Sequence, residues 1–358
     1  MSSKIEGQEL WCWMLAAAVV FATAGAAQAH LVYGGKPDRR ALVNKLINYQ
    51  FGPLDSELSG YEAKAERDPS QEMAAQIAFM AFDSTSTLIG SRVDDWVKAS
   101  PNSYAAAECK AIVRLAWAWS WRAKRDDSQM PPGDLARMFT YLNQSAAESK
   151  RALTIHPGFL IAYAQLIRAC RVGRDTKNFL AARDDAMANV PASFAAREQI
   201  MYGLSPQWGG SLEAMKNFAA ASQSYTYRNP SIRFLNAMPV IDAADEQLGS
   251  GHAKQALELY NRAIEVGGEY WTTYRHRARC YWDMHSWRDA YNDAMHANEL
   301  FPEESELLWT LSFTAARNND PGHSLLWGAE YLRFEQPNAS VFRVIQWDQQ
   351  QLKAAGKL

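Results

Sequence analysis

The sequence predicts an all-α protein, an α-solenoid built of antiparallel helix hairpins. Beyond residue 36 the apolar positions recur at spacings of three and four, alanine is abundant, and no sustained apolar–polar alternation competes. Prolines fall mostly between the periodic stretches, at Pro69, Pro101, Pro157, Pro191, Pro206, Pro230, Pro302 and Pro337, where a residue without an N–H punctuates helix pairs. The third observation is a period: Ala256 and Ala290 are 34 residues apart, and so are Ala263 and Ala297.

Composition bounds the class. The 358 residues allow either two domains or one long array, and 48% apolar with 21% charged residues excludes wholesale disorder and a protein of many membrane spans. Lysine and arginine number 37 against 39 acids, a formal charge of -2, so no global field gathers nucleic acid or anionic lipid. Nucleic acid is therefore not an expected partner.

Residues 1–29 have the pattern of a secretory signal: Lys4 in a short polar start, an apolar run from Trp11 to Ala27, and the small-residue site Ala27-Gln28-Ala29 before His30. The expectation is a periplasmic or secreted protein cleaved after Ala29. Glu6 and Glu9 offset Lys4, so an uncleaved membrane anchor is the alternative, although the run is short of the roughly 20 residues that a span needs. Cys109, Cys170 and Cys280 remain, widely scattered among alanine and aromatic residues, which reads as buried free thiols rather than a disulfide framework.

The helices follow in chain order. The first two lie near 38–49 and 54–67, and Pro69 precedes the third, near 70–82. The fourth, near 87–99, carries Trp96 and stops before Ser100-Pro101-Asn102, which leads into a long helix over 103–124. In that helix Trp117 and Trp121 share a face and Trp119 points nearly opposite, so one side is core and the other meets a groove or a neighbouring helix. Core packing is the weightier role there, since apolar residues flank all three rings. Helices near 134–154 and 159–171 flank Pro157, and those near 176–189 and 194–203 flank Pro191. Ala152 to Ala186 and Pro157 to Pro191 repeat the interval of 34. Two glycines in Trp208-Gly209-Gly210-Ser211 permit positive φ, and Ser211 can cap a helix over 211–226. Pro230 precedes a helix over 232–249, and the remainder lie near 253–266, 270–283, 287–300, 304–318, 322–335 and 339–354. Within the best-kept unit Ala278, Tyr281, Ala290, Ala297 and Pro302 follow at tetratricopeptide-repeat intervals, whose small residues let two helices approach closely. The expected division is an N-terminal helical-repeat domain over 36–210 and a tetratricopeptide-like domain over 211–358.

One string is more specific. Ser205-Pro206-Gln207-Trp208-Gly209-Gly210-Ser211 resembles the signature of a bacterial family of helical-repeat proteins known only as a domain of unknown function. Leu54 and Leu58, the Trp96 segment running to Tyr104, and the helix ending in Trp121-Arg122 resemble the same family, over roughly residues 38–230. The sequence departs from the family pattern after Arg122, where it has Ala123 in place of the family's glycine. The resemblance implies a fold and a bacterial source, and it transfers no catalytic residue.

The nucleophile elbow, the His-Glu-x-x-His zinc motif, paired Cys-x-x-Cys sites, the phosphate loop and the dinucleotide fingerprint are all missing from the sequence. No cofactor is expected. His276 and Cys280 lie four apart, with His285 and His296 in the same hairpin, but three or four ligands must converge on zinc and these fall on different elements, so no metal is expected either. The Trp208-Gly209-Gly210-Ser211 turn is either a tight interhelical turn, the weightier reading, or a cradle of backbone N–H groups for an anion.

The repeat register carries the functional expectation. With Trp271 at the first position, Thr272, Arg275, Arg279 and Trp282 line the concave groove, the next unit adds Trp309 and Phe313, and the middle of the chain adds Arg168 and Arg171. Arginine beside aromatic residues suits peptide carboxylates and apolar anchors; pairing of these arginines with acids such as Asp242, Asp245 and Asp283 weighs about evenly against that. The leading reading is a protein- or peptide-binding envelope scaffold without chemistry. The alternative is an envelope hydrolase acting on a wall or glycan substrate with carboxylates brought together by folding.

Overall fold

The computed structural model describes residues 36–122, 129–335 and 339–356. The expected signal segment and Ala123 lie outside the described residues. Seventeen α-helices account for the architecture of the described residues. They are α1 (Arg39–Ile47), α2 (Phe51–Arg67), α3 (Glu72–Met80), α4 (Thr87–Ala99), α5 (Tyr104–Arg122), α6 (Pro132–Ile155), α7 (Leu160–Val172), α8 (Thr176–Asn189) and α9 (Phe194–Gly203), followed by α10 (Leu212–Ser222), α11 (Met238–Gly249), α12 (Ala253–Gly267), α13 (Trp271–Asp283), α14 (Trp287–Leu300), α15 (Ser305–Arg317), α16 (Pro321–Phe334) and α17 (Ala339–Ala354). No helix among the described residues is long and apolar enough to cross a membrane.

Several helices start where the chain offers a side-chain acceptor for the unpaired N–H groups of a first turn. Asp38 accepts from the Ala41 N–H, Ser86 from Ile89, Ser193 from Ala196 and Ser211 from Ala214. One expected helix is divided. The stretch over 232–249 begins as a 3-10 turn, Pro230–Asn236, and only then becomes α11. Pro239 is the reason: an α-helix running through it would lose an N–H donor and clash with the carbonyl four residues earlier, whereas a first-turn position tolerates it.

Consecutive helices pack as hairpins, α5 with α6, α11 with α12, α13 with α14 and α15 with α16. The alanines of the 34-residue period, Ala152, Ala186, Ala256, Ala263, Ala290 and Ala297, are all fully buried. Each hairpin buries its apolar face against the next, as in a tetratricopeptide-like solenoid. The expected division between residues 210 and 211 falls in the turn between α9 and α10, and Phe194, Met201, Met215 and Ala219 from its two sides share one apolar cluster. Cys109, Cys170 and Cys280 are buried free thiols.

The array closes on itself. Arg39, on the first helix, is 4% exposed and donates from Nε to the Ala81 carbonyl at 3.0 Å, from Nη2 to the Asp83 carbonyl at 2.8 Å and from Nη1 to the Glu303 carbonyl. Arg40 bonds Glu303 at 3.2 Å and Glu330 at 3.0 Å. Ser84 donates to the carbonyl of Phe334, and the Thr85 hydroxyl donates to Glu335 at 2.5 Å. A single apolar cluster accordingly contains both Leu42 and Phe334. These contacts bring the loop after α3 against the end of α16.

Candidate functional site

The closed turn encloses a cavity of about 620 Å³, within the size range of sites that take small molecules or short peptides. Its wall is assembled from six places in the chain: Asp83 and Thr85 of the loop after α3, Trp119 of α5, Arg168 of α7, Arg275, Arg279 and Trp282 of α13, Glu304, Glu306 and Trp309 at the start of α15, and Tyr331 with Glu335 at the end of α16. Helical spacing explains the α13 contribution, since positions 275, 279 and 282 lie at intervals of four and three on one face.

Five residues expected at the groove therefore meet on one wall: Arg168, Arg275, Arg279, Trp282 and Trp309. Phe313 stands behind them, its ring stacked on Trp282 at 4.1 Å and 22° and 5.8 Å from Trp309. Trp309 in turn lies 6.2 Å from Tyr331. Arg171 does not reach the cavity wall. Its guanidinium packs 4.8 Å from the Trp208 ring and 5.4 Å from Tyr202 and donates to Gln199 at 3.1 Å. Burial, with Arg168 and Arg122 close by, pushes Arg171 down to about 9.

The expected grip on a partner carboxylate meets a competing geometry, because each cavity arginine already bonds an acid of the chain. Arg275 bonds Glu306 at 3.0 Å, with Glu304 at 3.9 Å; Arg279 bonds Asp283 at 3.2 Å; Arg168 approaches Asp83 at 3.5 Å. Of the acids considered from sequence, Asp283 is one such partner, while Asp245 instead holds His276 at 2.8 Å and the Tyr260 hydroxyl at 2.6 Å. Burial works to lower the Arg275 guanidinium, but Glu306 and Glu304 outweigh it and hold it above its ordinary value. Burial pushes the Glu304 carboxyl up to about 7 against the opposing pull of Arg275, and Glu335 is raised by burial too.

The Trp208-Gly209-Gly210-Ser211 turn is committed to its own bonds. The N–H groups of Gly209, Gly210 and Ser211 donate to the carbonyls of Pro206, Ser205 and Leu204 at 3.0, 3.0 and 2.8 Å, which leaves none of these three for an anion. A Cβ on Gly210 would fall 2.0 Å from the Leu204 carbonyl oxygen, so the turn requires glycine there, whereas Gly209 has φ +89°, a left-handed conformation that favours glycine, and open space around it. Arg122 and Arg171 lie 5.5 and 4.8 Å from Trp208. The four side chains considered for zinc go to different partners: His276 to Asp245, Cys280 to the Ala253 carbonyl, His285 beside Trp287, and His296 against Tyr274.

Sequence reasoning missed Asp83, Thr85 and Glu335, which reach the cavity through closure of the array and so leave no local pattern, and also Glu304 and Tyr331. Trp119 did leave one: its orientation away from Trp117 and Trp121 is the face that lines the cavity. Trp117 packs edge-on against Tyr141 at 5.4 Å and fills the space that Gly90 leaves open.

No protein-family model and no curated protein matches the chain. Among solved structures it is similar to yeast Tom70, with 10% identity over 80% of this chain and 64% of that one and a TM-score of 0.40. It is also similar to a tetratricopeptide repeat protein from Parabacteroides merdae (11% identity, 81% and 99% coverage, TM-score 0.35) and to the TPR domain of P58(IPK) (12%, 85% and 99%, 0.30). The chain spans less than two thirds of the length of Tom70. These likenesses concern the helical-repeat fold alone.

Proposed function

We propose that this protein is a binding scaffold that holds a protein or peptide segment in the cavity and performs no chemistry on it. The observation that carries the reading is the wall: Trp282 and Trp309, half-buried and backed by Phe313, stand beside ordered arginines. Partly desolvated tryptophans next to arginine are the usual composition of binding hot spots. A cavity of about 620 Å³ suits a short segment or chain end rather than a globular surface. The cavity arginines, each held by an acid, set the shape of the wall, and neutralised guanidiniums give phosphate chains little to bind. Membership of the bacterial family with the Ser205–Ser211 signature, and export after cleavage at Ala29, belong to the same proposal. Amino-terminal sequencing that reads His30 on recovered protein supports export, and Met1 on a membrane-bound form contradicts it.

The test is selection of short random peptides on the purified chain, followed by titration of the enriched sequences. The expected result is saturable binding that weakens about tenfold or more in Trp309→Ala, a loss of hot-spot size. Absence of enrichment, or binding indifferent to both Trp282→Ala and Trp309→Ala, refutes the reading.

Hydrolysis of a wall or glycan substrate is the second reading, and Glu304 favours it: a carboxyl pushed up to about 7 on a cavity wall is part protonated near neutral pH, as a general acid must be. Release of soluble sugar from wall material by the wild type and not by Glu304→Gln would establish it.

A further inference from the structure

The charges on the cavity wall are unevenly matched. Four carboxylates, Asp83, Glu304, Glu306 and Glu335, face three guanidiniums, Arg168, Arg275 and Arg279. Arg279 takes its partner, Asp283, from outside that set, and Arg168 and Arg275 make their nearest contacts with Asp83 and Glu306. Glu304 and Glu335 have no guanidinium within hydrogen-bond distance: Arg275 lies 3.9 Å from Glu304, and buried Arg39 reaches Glu335 through the Ser305 hydroxyl. Glu335 accepts only from hydroxyls and an N–H, those of Ser305 at 2.6 Å and of Thr85 at 2.5 and 3.3 Å. Glu304 caps α15 by accepting from the Leu307 N–H at 2.9 Å, with Arg275 no nearer than 3.9 Å.

The same end of the cavity carries the aromatic rings. Trp309 sits on the first turns of α15, just beyond Glu304, and Tyr331 sits one turn before Glu335. Trp282, stacked on Phe313, lies about two turns along α13 from Arg275 and so further along the wall. Ring faces attract cations through their quadrupole, more strongly when both partners are desolvated. An anion arriving here would meet both carboxyl groups and displace an existing ion pair or hydrogen bond to reach any arginine. An alkylammonium meets carboxylate oxygens and ring faces together, and its methylene stem covers apolar surface.

We propose that the cavity recognises a lysine side chain of the bound peptide, its ammonium group seated between Glu304 and Glu335 and the rings of Trp309 and Tyr331. This rests on the peptide-binding reading above and gives the partner its chemistry. Burial raises the proton affinity of Glu304 and Glu335 despite Arg275 and Arg39, and a bound cation would add to the countercharge those two arginines supply.

The test uses three synthetic peptide pools that differ only in one fixed residue, lysine, norleucine or glutamate, titrated onto the full chain, with a neutral oligosaccharide mixture as a fourth probe. The lysine pool is expected to bind about tenfold or more tighter than the norleucine and glutamate pools, and added salt to weaken the lysine pool alone. Glu335→Gln, checked for an unchanged helical spectrum, is expected to shrink the lysine advantage; because Glu304 also caps a helix, the salt dependence of the wild type stands as the independent measurement. Equal binding of the three pools, or preference for glutamate, overturns the lysine assignment and leaves peptide binding standing. Binding of none of the pools overturns both, and binding of the oligosaccharide instead assigns the cavity to sugar chemistry.

Discussion

The guanidinium of Arg39 lies 3.8 Å from the centroid of the Phe334 ring, joining the first helix of the array to the end of its sixteenth. It donates to the carbonyls of Ala81 and Asp83 in the next hairpin and, across the array, to the Glu303 carbonyl and to the Ser305 hydroxyl at 3.5 Å. Arg39→Ala removes a buried charged donor and leaves those acceptors unsatisfied, a loss of about 3 kcal/mol. Urea unfolding should show it as a lowered midpoint, with protease cleavage appearing between α3 and α4. A variant as stable and as resistant as the wild type would mean that closure of the array contributes nothing to the fold.

Ala290 is fully buried where α14 meets its partner helix. Ala290→Leu should overpack that hairpin and cost about 1–3 kcal/mol. An unchanged melting temperature would displace the repeat register, and the α13 wall of the cavity with it.

The two glycines after Trp208 should respond differently. Gly210→Ala drives a Cβ into the Leu204 carbonyl, with room only if the backbone shifts, and should cost about 2–4 kcal/mol. Gly209→Asn meets open space in a left-handed conformation that asparagine tolerates and should cost less than about 1 kcal/mol. Thermal melts of both variants decide; equal losses would contradict the turn geometry.

Glu108 is fully buried in α5, and burial pushes its carboxyl up to about 8, with Ser149 only partly offsetting the shift. The folded chain keeps a proton that the unfolded chain releases near 4.5, so this group's contribution is most favourable below that pH and declines as pH rises toward about 8. Glu108→Gln should flatten that decline and melt higher than the wild type at pH near 8. Parallel curves for the two proteins would place the titration elsewhere.

The helices and the α13–α15 wall were legible because their causes are local. Proline spacing marks the hairpins, the alanine period sets the register, and the register puts Arg275, Arg279, Trp282 and Trp309 on one side. Arg279 and Asp283 are one turn apart and their pairing was in view, whereas the bond from Arg275 to Glu306 spans 31 residues and depends on how successive repeats stack. Closure was not legible at all, since Arg39 and Glu303 meet only once every intervening hairpin has added its rotation. Asp83, Thr85 and Glu335 enter the site by that route. The displacement of Arg171 has a related cause: Trp208, delivered by the Gly209-Gly210 turn, draws its guanidinium away from the cavity.

The most direct measurement of where the partner binds is photo-crosslinking of a selected peptide to the full chain, with the modified residues located by mass spectrometry. The account predicts crosslinks on the cavity wall, at Trp119, Trp282, Trp309 and Tyr331, lost when unlabelled peptide competes. Competable crosslinks confined to the outer surface, at exposed Leu180 or Tyr227, would contradict it.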